Sequence, residues 1–177
     1  VNVPAPSSQG DKRFNNQFVI SGYGPDGTGA LRFYRSCTPK NQYNCDSMFS
    51  DVLLAGDALV SSPNSRFGFG GGTVDCGGHV LDLFPNAQAE FMINGGTWRN
   101  GHLKCSGYMN PIAQNENTFS GGSDNTFTLE PGVTFGLWGP PLTFDWTLVA
   151  KGGSAISLGA GTSYAMNHLA GPTTLTD

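Results

Sequence analysis

Short apolar runs recur along the whole chain, and none keeps a helical period beyond about two turns. The clearest is LTFDWTLV, where Leu142, Phe144, Trp146 and Leu148 alternate with Thr143, Asp145 and Thr147. That two-residue period belongs to a strand with one buried face. GALRFYRSC, VLDLF, AEFMI, NTFTL, VTFGLW and SAISL repeat the theme, divided by PNAQ, NGG, EPG, GPP and KGG. Strand-like runs at roughly ten-residue spacing predict an all-β fold with little helix, a β-sandwich or flattened β-barrel. DVLLAGDALV reads equally as one helical turn or a short strand. Residues 1–12 are expected to form a loose arm and 13–177 a single domain, with no internal repeat.

Composition limits the function. Only 12% of the 177 residues are charged, while aromatics reach 11%, so the chain is turn-rich and folded rather than disordered. A net charge of −4 argues against nucleic acid and anionic membranes as main partners, because both require a basic face. No run approaches the ~20 apolar residues of a membrane span. Scarce lysine and four cysteines, Cys37, Cys45, Cys76 and Cys105, suit a secreted, extracellular, monomeric protein with two disulfides. The polar, Pro-rich start VNVPAPSSQG reads as lying near a processed N-terminus. Four cysteines permit three pairings.

The stretch from Gly68 to Gly78, GFGGGTVDCGG, holds the most chemistry. A phosphate loop would end in Gly-Lys-Ser/Thr, and no lysine lies nearby. Zinc would need more ligands than Cys76 and His79 offer. Neither His79, His102 nor His168 carries a local signature binding it to Cys76 as a nucleophile. No cofactor or metal is therefore expected. The glycines supply positive φ angles, and Asp75 is expected to cap the turn through its own backbone bonds.

Carboxylates are the better catalytic prospect, since a glycosidase needs two across a cleft. Glu90 and Asp145 stand out because each lies inside an apolar run, although a solvent-facing strand position explains either one. Trp98, Trp138, Trp146, Tyr23 and Tyr34 are candidates to stack on sugar rings, with at least half of them expected in the core.

Thr73-Val74-Asp75-Cys76-Gly77-Gly78, followed by Ala89-Glu90-Phe91, resembles paired motifs of thaumatin-like proteins over a limited part of the chain. The resemblance implies a secreted, disulfide-pinned β-sandwich with a cleft that binds β-glucan in some members. Glu90 matches the family's cleft glutamate, whereas the positions of its further cleft acids are Leu103 and Tyr108. The family's cysteine partner position is Asp82, so Cys76 needs another partner; loop economy alone selects Cys105, closing a loop around AEFMIN, with Cys37 and Cys45 pinning a short turn. The expected function is thus a secreted, non-enzymatic fungal protein acting at a host receptor or cell-wall glycan as an elicitor or effector of plant defence. The alternative is a β-glucan-binding module, or a weak β-glucanase using Glu90. Glu90, Asp75 and Trp98 form the expected carbohydrate-binding set.

Overall fold

The computed structural model describes residues 2–4, 12–34, 47–62, 67–85, 90–106, 110–137, 142–158, 168–169 and 173–176. Fifteen strands are present there and no helix. They are β1 (Asn2–Pro4), β2 (Lys12–Gly22), β3 (Leu31–Tyr34), β4 (Ser47–Ser62) and β5 (Phe67–Phe69). Next come β6 (Thr73–Pro85), β7 (Glu90–Cys105), β8 (Asn110–Ser120), β9 (Thr126–Leu129) and β10 (Thr134–Leu137). The last are β11 (Leu142–Phe144), β12 (Thr147–Lys151), β13 (Ala155–Leu158), β14 (His168–Leu169) and β15 (Thr173–Thr176).

Every pairing between these strands is parallel, so the fold is a parallel β-solenoid rather than a sandwich or barrel. The long strands β4 and β7 each bend through all three faces of a turn, and each stretch pairs with its counterpart one turn later. The four central turns run over residues 47–62, 67–85, 90–105 and 110–129. On the first face Phe49 pairs with Phe69 and Phe69 with Ile93. The second carries Val52, Val74, Trp98, Phe119 and Phe144 in register. The third carries Ala58, Leu81, Leu103, Phe127 and Leu148. DVLLAGDALV is strand throughout, within β4. Asn2–Pro4, expected in a loose arm, pairs with β3 instead.

These ladders point inward and form the core. Alternation places every second residue inside, and the parallel stacking then sets like side chains on one another. Trp98 stacks on Phe119 with centroids 5.3 Å apart, and Phe119 packs in turn on Phe127, Phe144 and Trp146. At the other end of the column Phe69 meets Trp98 edge-on at 5.4 Å.

GFGGGTVDCGG is not a loop but strand, corner, strand and bulge. Phe67–Phe69 lies on the first face, and the chain turns at Gly72, where an added Cβ would collide with the Ser50 carbonyl oxygen. Thr73 to Cys76 then forms the second face. Gly77 and Gly78 follow with φ of 57° and 82°, the left-handed conformation that a side chain resists. As anticipated, Asp75 caps this bulge: Oδ1 accepts the Gly77 backbone N–H at 3.0 Å.

The Cys76–Cys105 disulfide does not form, and both thiols are free and buried. Cys105 stacks between Leu83 and Leu129 on the third face. Cys76 sits at a corner, where a Cβ on Gly101 would meet its own Cβ at 2.6 Å. Cys105 is four strand residues beyond Gly101, roughly 13 Å along an extended chain, whereas a bridge needs Cβ atoms about 4 Å apart. Cys37 and Cys45 lie outside the described residues.

Candidate functional site

A solenoid leaves the outer side of each face free for ligands, so the expected site residues are judged by which way they point. Asp75 points outward. Its Oδ2 accepts from Arg99 Nε at 2.9 Å, and its Oδ1 accepts from Asn100 Nδ2 at 3.1 Å as well as from Gly77. Burial raises its pKa, but the bonds from Asn100, Gly77 and Arg99 outweigh that and hold it below the ordinary carboxylate value of 3.8. Asp75 therefore contributes stability above that value and loses it as the pH falls through the lowered folded pKa. Asp75→Ala should cost about 1–3 kcal/mol near neutral pH and make the unfolding midpoint less acid-sensitive. Denaturant titrations across the acid range measure both effects.

Trp98 does not belong with Asp75. It is 1% exposed and serves the core, so it offers no face to a sugar, and Trp146 is equally interior. Trp138 lies outside the described residues. Glu90 opens β7 opposite Asn110 on the first face. Its side chain, like those of His168 and Tyr34, lies outside the described part. Asp145 sits between β11 and β12, at the corner joining the second and third faces. The two backbone positions thus fall on different parts of the solenoid, Glu90 at the start of the first face and Asp145 at the later corner. Leu103, at a family cleft-acid position, is buried in the third-face ladder; Tyr108 lies outside the described residues.

The outer side of the third face brings together a different set. Asp82 pairs with Lys104, and Lys104 with Thr128, which in turn pairs with Val149. Asp82 Oδ2 accepts from Lys104 Nζ at 2.9 Å, while its Oδ1 accepts from Ser106 Oγ at 3.0 Å. The Asp82 hydrogen bond raises the Lys104 pKa above its usual value, with burial opposing it. Beside this pair, Lys151 Nζ donates to Glu130 Oε1 at 2.7 Å. The floor thus presents charged donors and acceptors whose charges are already matched.

Two exposed aromatic rings border that floor. Phe84, one strand pair beyond Asp82 on the same outer side, is 50% exposed. Tyr23 is 47% exposed, follows the Gly22–Ala58 pairing, and lies within electrostatic reach of Lys104. Tyr23 opens the loop over residues 23–30, which folds across the outside of β4. Gly29 N–H donates to the Tyr23 carbonyl, Ala30 N–H to the Leu59 carbonyl, and Ser61 Oγ to the Thr28 carbonyl. Leu59 is only 8% exposed although it faces outward, because this loop covers it.

Sequence reading singled out Tyr23 but missed Phe84 and Lys104. Phe84 was recoverable: in VLDLF it shares the outward parity of Asp82, opposite Leu81 and Leu83. Lys104 was not, since its place beside Asp82 depends on a parallel register that no local pattern states.

Among the described residues no group of three or more His, Cys, Asp or Glu side chains could hold a metal ion, and no helix is long and apolar enough to cross a membrane. No protein-family model, curated protein or solved structure matches the chain.

Proposed function

We propose that the protein is a secreted, non-enzymatic binding protein that acts at a host or cell-wall surface by holding an uncharged polysaccharide on its third outer face. The observation that carries this reading is the pair of exposed rings, Tyr23 and Phe84, beside a floor whose charges cancel in pairs. Aromatic faces cover the C–H side of a sugar ring, while Asp82, Lys104 and Ser106 offer acceptors and donors to its hydroxyls. A floor without surplus charge favours a neutral polymer over an anionic one.

The carboxylates also favour binding over hydrolysis. Asp75 accepts hydrogen bonds from Asn100, Gly77 and Arg99 that hold its pKa below the ordinary carboxylate value, which favours its ionised form. A glycosidase needs one carboxyl held protonated. Co-sedimentation with insoluble β-1,3-glucan, chitin and cellulose tests the proposal. Retention on at least one polymer, weakened about tenfold (roughly 1.4 kcal/mol) by Phe84→Ala, is the expected outcome. Passage through all three without retention would refute it. Leaf infiltration with the pure protein, read as necrosis or an oxidative burst, tests whether a host perceives it.

A further inference from the structure

We infer that the bound polysaccharide runs along the solenoid axis, crossing the strands, in a lane that begins beside Tyr23 and Phe84 and continues over Lys104, Thr128 and Val149. This rests on the polysaccharide reading above and adds the ligand's direction and the residues it meets.

Three observations carry it. The first is the wall. The 23–30 loop lies over Leu59 and Ser61 on the outside of β4, whereas the next strand leaves Phe84 half exposed, with Asp82 beside it largely enclosed by its bonds to Lys104 and Ser106. The open surface therefore starts at β6 and extends only toward the C-terminal turns. The second is register. Asp82, Lys104, Thr128 and Val149 are consecutive Cα partners, and no register shift falls between them. Neighbouring strands are about 4.8 Å apart, so the lane offers one outward position per strand at a fixed interval, polar at Asp82, Lys104 and Thr128 and apolar at Val149. The third is the direction of the ion pairs. Asp82–Lys104 and Glu130–Lys151 both bridge adjacent turns, so charge is neutralised along the axis.

Running along a strand offers less. On β7 such a ligand would pass from Lys104 to His102, whose Nδ1 is engaged with Thr126 Oγ1 at 2.9 Å. It would then leave the face at the corner, where the Gly101 N–H is bonded to the Asn125 side chain.

The two directions separate at Lys104, because Thr128 is its neighbour across the strands and His102 its neighbour along the strand. Calorimetric titration with cellotriose, cellohexaose, laminaritriose and laminarihexaose would compare wild type, Thr128→Trp and His102→Trp. Thermal unfolding would verify that each variant is folded. Wild type should bind the hexaose of at least one series about tenfold more tightly than its triose. Thr128→Trp should abolish that length advantage, while His102→Trp should keep it. A length advantage that survives Thr128→Trp, or that is lost in His102→Trp instead, would overturn the axial direction and leave polysaccharide binding intact. Failure of wild type to bind any oligosaccharide or insoluble glycan would defeat the underlying reading itself.

Discussion

Trp98→Ala should lower the unfolding free energy by about 3–5 kcal/mol, a large share of the 5–15 kcal/mol typical of a domain. Trp98 is among the largest fully buried side chains and sits in a central turn. Its ring meets Phe69, Phe91 and Phe119 with centroids 5.4, 6.1 and 5.3 Å away. Truncation would open a cavity between three aromatic rings held by strands on both sides, leaving little freedom to collapse. In a solenoid, moreover, each turn is stabilised through its neighbours, so damage at a central interface weakens the coupling between the two halves. Urea unfolding should therefore show a lower midpoint and a broadened transition. A loss below ~1 kcal/mol would contradict the packing described. The same variant separates the structural role from the sugar-stacking role expected of Trp98 in the sequence, since polysaccharide retention below the transition should persist.

The periodicity of single strands was legible and their partnership was not. LTFDWTLV alternates as expected, with Leu142, Phe144, Trp146 and Leu148 buried. Nothing within that stretch reveals that Phe144 lies on Phe119 and Phe119 on Trp98. Short runs between Gly- and Pro-rich breaks look the same whether the chain reverses into a hairpin or turns a solenoid corner. The long-range signal was nevertheless present: Thr73, Thr97, Thr118 and Thr143 are successive partners on the second face, at intervals that wander between turns. Such wandering hides a repeat from inspection while the structure absorbs it in corners and bulges. Asp75 was placed well because its capping bond is local, spanning two residues. Phe84, Lys104 and Ser106 are brought together only through register, so they stayed invisible as a group. The cysteines misled for a related reason: loop economy favoured joining Cys76 to Cys105, but in a solenoid proximity follows the turn rather than the loop length.

The buried thiols make the second large effect chemical. Cys76 has its pKa pushed from 9.0 to about 12, chiefly by burial and secondarily by the nearby Asp75 charge. Burial likewise raises Cys105 well above 9.0, helped by Asp82. At pH 8 a thiol of pKa about 12 holds roughly a thousandfold less thiolate than one of pKa 9.0, so native Cys76 should react with maleimide at least that much more slowly than after unfolding. A Cys37→Ser, Cys45→Ser background restricts the readout to Cys76 and Cys105. Two labels should then enter under denaturing, non-reducing conditions, and none on the same timescale in the native protein. A failure to label after denaturation would mean a bridge, and rapid native labelling would mean exposed thiolates; either result contradicts the buried, unpaired thiols. The same shift fixes a sign for alkaline stability. A folded pKa raised above the unfolded one contributes stability that is complete below about pH 9 and is lost as the pH climbs through about 12. Cys76 should cost about 1 kcal/mol per pH unit across that window, and Cys105 adds a loss of the same sign. Lys104, also raised, pushes in the same direction and remains in every variant. Adding Cys76→Ala and Cys105→Ala to that background should therefore flatten, without abolishing, the alkaline decline measured by urea titration. An unchanged slope would show that the two thiols titrate alike in the folded and unfolded chains, which their complete enclosure between hydrophobic ladders forbids.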